Sequence, residues 1–145
     1  MSNEEVIKEA GCYVMNTYNR FPVVFVKGRG TRLYDQEGRE YLDFVAGIGV
    51  NNLGHCNHRV TVAIQKQVQR LMHVSNLYYN EPQVSLARLL VKHSFADQVF
   101  FCNSGAEANE AAIKLARKAA KARGGSERYE IITMQQSFHG RTMAT

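Results

Sequence analysis

The sequence predicts an α/β protein, in which a small N-terminal α+β segment precedes the start of a mostly parallel sheet with helices on both faces. Short polar–apolar stretches around Gln36-Glu37-Gly38 indicate an antiparallel meander. Two continuous apolar runs, Asp97 to Cys102 and Glu130 to Met134, are typical of strands covered on both faces. A helical pattern between them completes a strand–helix–strand unit. We therefore divide the chain into residues 1–56, the helix and meander segment, and residues 57–145, the truncated start of a larger α/β domain.

The first elements follow from local signals. Ser2 and Glu5 have capping-box spacing, which predicts a helix from there to about Tyr18. Three strands are then predicted, at Phe21 to Lys27, Arg32 to Asp35 and Arg39 to Phe44. Residues 46–56 contain three glycines and show neither a helical nor a strand period, so we expect a loop with unusual backbone angles.

Three further helices are predicted from apolar residues at helical spacing. Their apolar positions are Val60, Ile64, Val68 and Leu71 in the first, Val84, Leu86, Leu89 and Leu90 in the second, and Ala108, Ala111, Ala112, Leu115 and Ala119 in the third. Pro22 and Pro82 fall at element boundaries, and Gly124-Gly125 is expected to end the third helix.

Composition narrows the class of protein. The 145 residues are 45% hydrophobic and 21% charged, with a formal net charge of +5, which fits a globular protein. No apolar run approaches a membrane span, and the acidic start lacks a leader pattern, so we expect a cytoplasmic protein without a membrane partner. The basic residues gather at a predicted helix C-terminus, where they complement its dipole, so we expect no nucleic-acid partner. Three scattered cysteines support neither a metal site nor a disulfide, and Cys102 is expected to be a small core residue.

Ser104, Gly105 and Ala106 form the first candidate site, where a predicted strand gives way to a helix. A helix N-terminus offers unpaired N–H groups to an anion, glycine allows close approach, and serine adds a hydroxyl donor. A phosphate would fit without any lysine or arginine. A plain helix cap explains the same residues equally well from spacing alone. The chain has no GxxxxGK[ST] motif, and its residues 47–54 depart from the dinucleotide-binding fingerprint.

The second candidate site follows the last predicted strand, at Phe138, His139 and Arg141. Ligands of parallel sheets bind beyond the carboxyl ends of the strands, where both candidate sites would lie. Phe138 could stack on an aromatic group, and Arg141 could hold a carboxylate through two parallel hydrogen bonds. A core phenylalanine and a surface arginine are the alternatives, and a structural role is favoured for His139.

The chain resembles the class III pyridoxal-phosphate-dependent aminotransferases, in particular the acetylornithine branch of that family. The likeness lies in four ordered segments, Tyr13 to Cys56, Ser75 to Leu90, Phe101 to Arg117 and Ser137 to Thr145. It implies the N-terminal part of a fold type I transferase. It also implies that Gly105 and Ala106 bind the phosphate of pyridoxal 5'-phosphate through backbone N–H groups, with Ser104 beside them. Phe138 would then stack on the cofactor ring, and Arg141 would hold the α-carboxylate of the substrate.

The same resemblance implies an activity. A homodimeric enzyme would move the terminal amino group of N-acetylornithine to 2-oxoglutarate, in arginine biosynthesis, using amino acid and 2-oxo acid substrates. No catalytic residue is assigned, because the Schiff-base lysine of the family is not among these residues, and the 145 residues alone are expected to be inactive. Ornithine or 4-aminobutyrate aminotransferase, or a non-catalytic fragment, are the alternatives.

One motif departs from the family pattern. Where relatives commonly have His-Pro, this chain has Asn57-His58 after the glycine-rich loop. The proline that would begin the next helix is missing, but Asn57 is itself a favoured N-cap residue. We therefore expect the helix to form.

Overall fold

The computed structural model describes residues 1–124 and 127–145. These residues form two compact units, Met1–Leu77 and Tyr78–Thr145. The domain boundary predicted after Cys56 concerns the organisation of the family's larger fold and stays a prediction. The helices are α1 (Asn3–Tyr13), the one-turn α2 (Ala46–Gly49), α3 (His58–Val68), α4 (Glu81–Lys92) and α5 (Gly105–Ala122), and the strands are β1 (Phe25–Arg29), β2 (Arg32–Asp35) and β3 (Glu40–Leu42).

Helix α1 begins where the capping box predicts. The Ser2 hydroxyl accepts from the Glu5 N–H at 3.2 Å, and the Glu5 carboxylate accepts from the Ser2 N–H at 2.7 Å. The helix ends at Tyr13 rather than near Tyr18, because Val14 turns extended, with φ −109° and ψ 122°. The asparagines and threonine that follow are poor helix formers and do not restore the helix.

The three strands form the predicted antiparallel meander, in the order β1-β2-β3. Strand β1 starts at Phe25 rather than Phe21, because Pro22 has no N–H for a ladder and Val23 N–H turns back to the Phe21 carbonyl at 2.8 Å. The Phe25 ring meets the Tyr41 ring edge to face, with centroids 5.3 Å apart. This contact packs the first strand against the third.

Asp35 organises the turn between β2 and β3. It is the one fully buried residue of the described chain, at 2% exposure. One carboxylate oxygen accepts from the Glu37 and Arg39 N–H groups, and the other accepts from Arg39 Nε at 2.6 Å and the Tyr41 hydroxyl at 3.0 Å. Burial works to raise the pKa of Asp35, but the hydrogen bonds from Arg39 and Tyr41 prevail and lower it.

The stability of the meander is therefore expected to depend on acid through Asp35. A lowered folded-state pKa contributes stability above the unfolded-state value, and that contribution disappears as the pH falls through the folded-state value. The difference in thermal midpoint between the wild type and Asp35→Asn should be largest above about pH 5 and should shrink below about pH 4. Asp97→Asn, at an exposed aspartate, is the matched control and should show no such difference. A gap between wild type and Asp35→Asn that stays constant from neutral pH to about pH 3 would contradict this role.

The glycine-rich loop has the unusual backbone predicted for it. All four residues of α2, Ala46 to Gly49, have positive φ, so α2 is a left-handed turn within this loop rather than an ordinary helix. Gly54 and Cys56 also have positive φ. The loop is fixed at its end by His55, whose backbone pairs in both directions with Gly30, at 3.0 and 2.8 Å. The His55 ring nitrogen Nε2 lies 2.6 Å from Asp43, whose other oxygen accepts from the Val45 and Ala46 N–H groups. The His55 hydrogen bond, followed by that from Ala46, lowers the pKa of Asp43.

Gly28 leaves the space that the His55 ring occupies. A Cβ at this position would lie 2.8 Å from both Cβ and Cγ of His55. Because the imidazole is held by Asp43 and the backbone by Gly30, Gly28→Ala should cost about 1–3 kcal/mol through overpacking. Hydrogen exchange at the Gly30 and His55 amides should then become faster.

Gly11→Ala is the control for this substitution. It adds a methyl group to α1 where no atom lies within 4 Å, and should stabilise that helix by about 0.5–1 kcal/mol. Unchanged exchange at both amides in Gly28→Ala, matching that in Gly11→Ala, would show that the ring contact does not fix the loop.

The N-cap predicted at Asn57 is confirmed, and the structure adds a cap that was not predicted, at Asn80. The Asn57 side chain accepts from the Arg59 and Val60 N–H groups, so α3 forms without the family's proline. Asn80 caps α4, with Pro82 in its first turn. Helix α5 ends at Ala122, and Gly124 follows with φ 77°. The predicted contribution of Gly125 falls outside the described residues.

Two predicted strands are wrong for this chain as it stands. Residues 97–102 and 130–134 form no strand, and Phe100 and Ile132 are 65% and 96% exposed. A strand needs a neighbour for its N–H and C=O groups, and the described residues supply none for either segment. Cys102 is exposed rather than a core residue.

The described residues contain no fully buried hydrophobic side chain, so much apolar surface is uncovered. None of the helices described is long and apolar enough to cross a membrane.

Candidate functional site

The first candidate site is the turn into helix α5. Ser104 is extended, with φ −155° and ψ 163°, and its hydroxyl oxygen accepts from the Glu107 N–H at 3.2 Å. The N–H groups of Gly105 and Ala106 have no acceptor within the described residues, as expected for the first turn of a helix. A Cβ on Gly105 would meet no atom within 4 Å. Ser104 is thus the predicted helix cap, and the two following N–H groups are open to an anion.

Glu107 secures the backbone before this turn. Its carboxylate accepts from the Asn103 N–H at 2.6 Å, and the Cys102 thiol lies 3.4 Å from the Ser104 carbonyl oxygen. The carboxylate therefore binds the chain preceding the helix and leaves the Gly105 and Ala106 N–H groups uncovered. These contacts fix the approach of the chain to α5.

The second candidate site packs against the same helix. The Asn109 side-chain amide donates to the His139 carbonyl at 2.6 Å. Glu110 Oε1 accepts from the Thr142 hydroxyl at 2.5 Å and from the Ala144 N–H at 3.3 Å. Residues 139–145 are therefore held on the first two turns of α5.

Gly140 lies where the two candidate sites come into contact. Its φ of 144° is a conformation that favours glycine, and a Cβ there would lie 2.9 Å from the Ala106 Cβ and would overlap the Thr145 side chain. The turn at Ser104 to Ala106 and the loop at residues 138–141 thus meet in one place. Sequence spacing placed them at one edge of a sheet, and the structure brings them into contact without that sheet being formed.

Phe138 and Arg141 lie side by side on this loop. The Arg141 guanidinium carbon is 5.5 Å from the centre of the Phe138 ring, within the range of a cation–π contact. Phe138 is 77% exposed among the described residues, so its ring face is accessible in this chain, and its role stays a prediction. His139 contributes its backbone carbonyl to Asn109, and its ring Nδ1 lies 3.1 Å from the Ser137 carbonyl, which fits the structural role favoured from the sequence.

The structure therefore gathers all five predicted site residues, Ser104, Gly105, Ala106, Phe138 and Arg141, around the start of α5. Their binding roles stay predictions. Sequence reasoning missed Asn109 and Glu110, which join the two parts. A signal was available, because asparagine is unfavourable inside a helix and here interrupts an alanine-rich face.

Residues 13–145 match the sequence profile of the family described as aminotransferase class-III. The chain is 61% identical over 130 residues to the acetylornithine aminotransferase of Caldanaerobacter subterraneus subsp. tengcongensis, covering 90% of this chain and 33% of that protein. It is 54% identical over 145 residues to the acetylornithine aminotransferase of Methanocaldococcus jannaschii, covering 100% of this chain and 36% of that protein. The chain thus spans about a third of the length of these curated relatives.

A solved structure shows the same fold. The ornithine aminotransferase of Toxoplasma gondii, crystallised with oxidised glutathione, superposes with a TM-score of 0.85 at 32% identity, covering 97% of this chain and 34% of that one. Its active site holds pyridoxal phosphate (PLP) at partial occupancy. The predicted fold class is confirmed, since the structural neighbours are fold type I PLP-dependent aminotransferases. From the profile match and the identity to its curated members, the chain belongs to the class-III aminotransferase family.

Proposed function

We propose that this chain is the cofactor- and carboxylate-binding part of a PLP-dependent aminotransferase that moves the terminal amino group of N-acetylornithine to 2-oxoglutarate. The observation that carries the proposal is the contact between the start of α5 and the loop bearing Phe138 and Arg141. A phosphate group, an aromatic ring and a carboxylate would each find a matching group there. The identity of 54–61% to acetylornithine aminotransferases supports the choice of reaction.

The residues present fit the cofactor. Gly105 and Ala106 offer two N–H groups that have no acceptor within the described residues, beside the Ser104 hydroxyl, and no side chain fills the space at Gly105. The positive end of the helix dipole adds to their attraction for a phosphate. The exposed Phe138 ring offers a flat apolar face. PLP, when bound, supplies the electron sink for amino-group chemistry, and the protein supplies binding and orientation.

Each of these side chains would do a distinct task. Ser104, Gly105 and Ala106 would anchor the phosphate and so fix the distance of the cofactor from the helix. Phe138 would hold the ring plane by stacking. Arg141 would receive the substrate α-carboxylate in a two-bond, charge-assisted contact and so select amino acids.

Covalent catalysis would need an activated lysine, and none of the lysines on helices α4 and α5 has suitable surroundings. Lys92, Lys114, Lys118 and Lys121 are exposed on helices α4 and α5, and none has the buried, activating surroundings of a catalytic amine. We therefore propose that the 145 residues alone bind cofactor weakly and do not catalyse transamination. Activity measurements need a polypeptide of the relatives' length that contains these residues, hereafter the full-length enzyme.

Ornithine and 4-aminobutyrate remain the competing amino donors. Acetylornithine aminotransferases range from 31% identity to this chain, in Elizabethkingia anophelis, to 61%, in Caldanaerobacter subterraneus, whereas the ornithine aminotransferase of Toxoplasma gondii is 32% identical. The upper end of this range supports the choice of the acetylated donor. A homodimer and a cytoplasmic location belong to the same proposal. The uncovered apolar side chains, such as Ile132, fit surfaces that the rest of a longer enzyme would bury.

The reaction is tested by comparing donors. The full-length enzyme, supplied with PLP and 2-oxoglutarate, should show a higher kcat/KM for N-acetylornithine than for ornithine or 4-aminobutyrate, by about tenfold or more. A preference for unacetylated ornithine would overturn the choice of substrate. An enzyme that turns over none of the three donors would overturn the reaction.

The phosphate site is tested separately with Gly105→Pro. Proline is favoured at the first helical position, and Ser104 before it is already extended, so α5 should form while one N–H donor is lost. PLP affinity, measured by absorption titration of the full-length enzyme, should fall by about tenfold or more. Gly105→Ala keeps the donor and is the matched control. Equal PLP affinity in the two variants would refute the backbone site.

A further inference from the structure

Two neighbouring side chains of α5 hold residues 139–145, at points before and after Arg141 in the sequence. Asn109 donates to the His139 carbonyl, two residues before the arginine. Glu110 accepts from the Thr142 hydroxyl, the residue directly after it, and from the Ala144 N–H. The arginine therefore lies between two fixed points on one helix.

The two anchors differ in how far they are buried. Asn109, Glu110, His139 and Gly140 are all half-buried, whereas Phe138 and Arg141 are exposed. The loop is also closed on itself, because the Thr142 and Thr145 hydroxyl oxygens lie 2.7 Å apart. The anchor between Asn109 and His139 is thus partly shielded from water, whereas Thr142 and Ala144, the loop partners of Glu110, are exposed.

The Glu110 carboxylate interacts mainly with Thr142 and Ala144 of the loop, and only weakly with Lys114 on the helix surface. The Thr142 hydrogen bond, aided by the Ala144 N–H, lowers the pKa of the Glu110 carboxyl. Its ion pair with Lys114 is long, at 3.9 Å, and that lysine side chain is 77% exposed. An exposed pair of this kind contributes little. The ionised carboxylate therefore acts chiefly as an acceptor for the loop.

We infer that Asn109 and Glu110 are positioning residues that set the Arg141 guanidinium at a fixed distance from the phosphate-binding turn. The inference rests on the proposed function. Ala106 and Glu110 are four residues apart on α5, which corresponds to a rise of about 6 Å. The helix that presents N–H groups to the phosphate thus also carries the anchors of the carboxylate site, and its stiffness fixes their separation.

The test is a double-mutant cycle with Glu110→Ala and Thr142→Val in the full-length enzyme. Each single change should raise KM for N-acetylornithine by about 5- to 20-fold, while PLP affinity changes by less than about threefold, because the phosphate turn is untouched. The double variant should be little worse than either single one, since both remove the same contact. Glu110→Gln, which keeps an acceptor oxygen, should recover part of the loss.

Lys118→Ala is the control on the same helix, because Lys118 is exposed and has no hydrogen bond or ion pair among the described residues. It should leave the KM for N-acetylornithine and the PLP affinity unchanged, and its effect should be additive with that of Thr142→Val. Asn109→Asp keeps the size of the side chain but loses the donor, and should raise KM as Glu110→Ala does.

Hydrogen exchange at the Ala144 amide gives a readout that needs no cofactor. Exchange there should become faster in Glu110→Ala and Thr142→Val, but not in Lys118→Ala. An enzyme that transaminates but shows additive Glu110→Ala and Thr142→Val effects, or an equal loss of PLP affinity, would overturn the inference and leave the proposed function intact. Absence of transamination in the wild type would instead overturn the proposed function, and the exchange data would still decide whether Glu110 anchors the loop.

Discussion

Replacing Arg141 with alanine in the full-length enzyme is expected to lower kcat/KM for N-acetylornithine by about 100-fold or more. Two charge-assisted hydrogen bonds to the α-carboxylate would be lost, each contributing about 1.5–3 kcal/mol. PLP affinity should change far less, because the phosphate turn at Ser104 to Ala106 is separate from this side chain. Steady-state kinetics and an absorption titration of the cofactor measure the two effects.

Lysine at this position distinguishes charge from geometry. Arg141→Lys keeps the positive charge but lacks the planar fork, so it should remain about tenfold or more below the wild type. Arg128→Ala is the matched control, since Arg128 is exposed and has no hydrogen bond or ion pair within the described part of the chain. If Arg141→Ala kept kcat/KM within about threefold of the wild type, the carboxylate site would have to lie elsewhere.

The parts of the fold that the sequence predicted correctly are governed by neighbouring residues. Ser2, Asn57 and Ser104 each cap a helix by accepting from an N–H no more than three residues away. The turn at residues 36–38 likewise depends on Asp35 and its near neighbours. Such interactions can be inferred from spacing alone, because both partners lie within one short window.

The two predicted strands that do not form depend instead on interactions with distant residues. Residues 97–102 and 130–134 have the apolar composition of buried strands, but composition does not provide a neighbour. Strand formation depends on pairing with another segment, and the described residues pair neither of them. A sequence pattern therefore predicts the tendency of these segments, whereas their secondary structure depends on what lies beside them.

The candidate site depends both on local patterns, which the sequence reveals, and on contacts between distant segments, which it does not. Ser104, Gly105 and Ala106 were found from a local strand-to-helix pattern, and Phe138 and Arg141 from their position after the last predicted strand together with the family resemblance. The contacts that join the two parts span 30 to 34 residues, from Asn109 to His139 and from Glu110 to Ala144. No local period reports such pairs, which is why the anchors emerged only from the structure.

Gly140→Ala is expected to damage the cofactor and carboxylate parts of the site together. The new methyl group would lie 2.9 Å from the Ala106 Cβ and would overlap the Thr145 side chain, in a backbone conformation with φ 144°. Overpacking and backbone strain each cost about 1–3 kcal/mol, so the loop should move away from α5. In the full-length enzyme, kcat/KM should fall by about 100-fold and PLP affinity by about tenfold, because Ala106 belongs to the phosphate turn.

Gly38→Ala separates backbone strain from steric contact. Gly38 also has a positive φ, 81°, but a Cβ there would meet no atom within 4 Å. It should lower stability by about 1–2 kcal/mol, the cost of a non-glycine residue in the left-handed region, and leave kinetics and PLP affinity unchanged. Ala106→Gly, added to Gly140→Ala, removes one of the two contacts and should restore part of both losses. If Gly140→Ala behaved like Gly38→Ala, the contact between the phosphate turn and the Arg141 loop would not control the site, because backbone strain alone would then account for both substitutions.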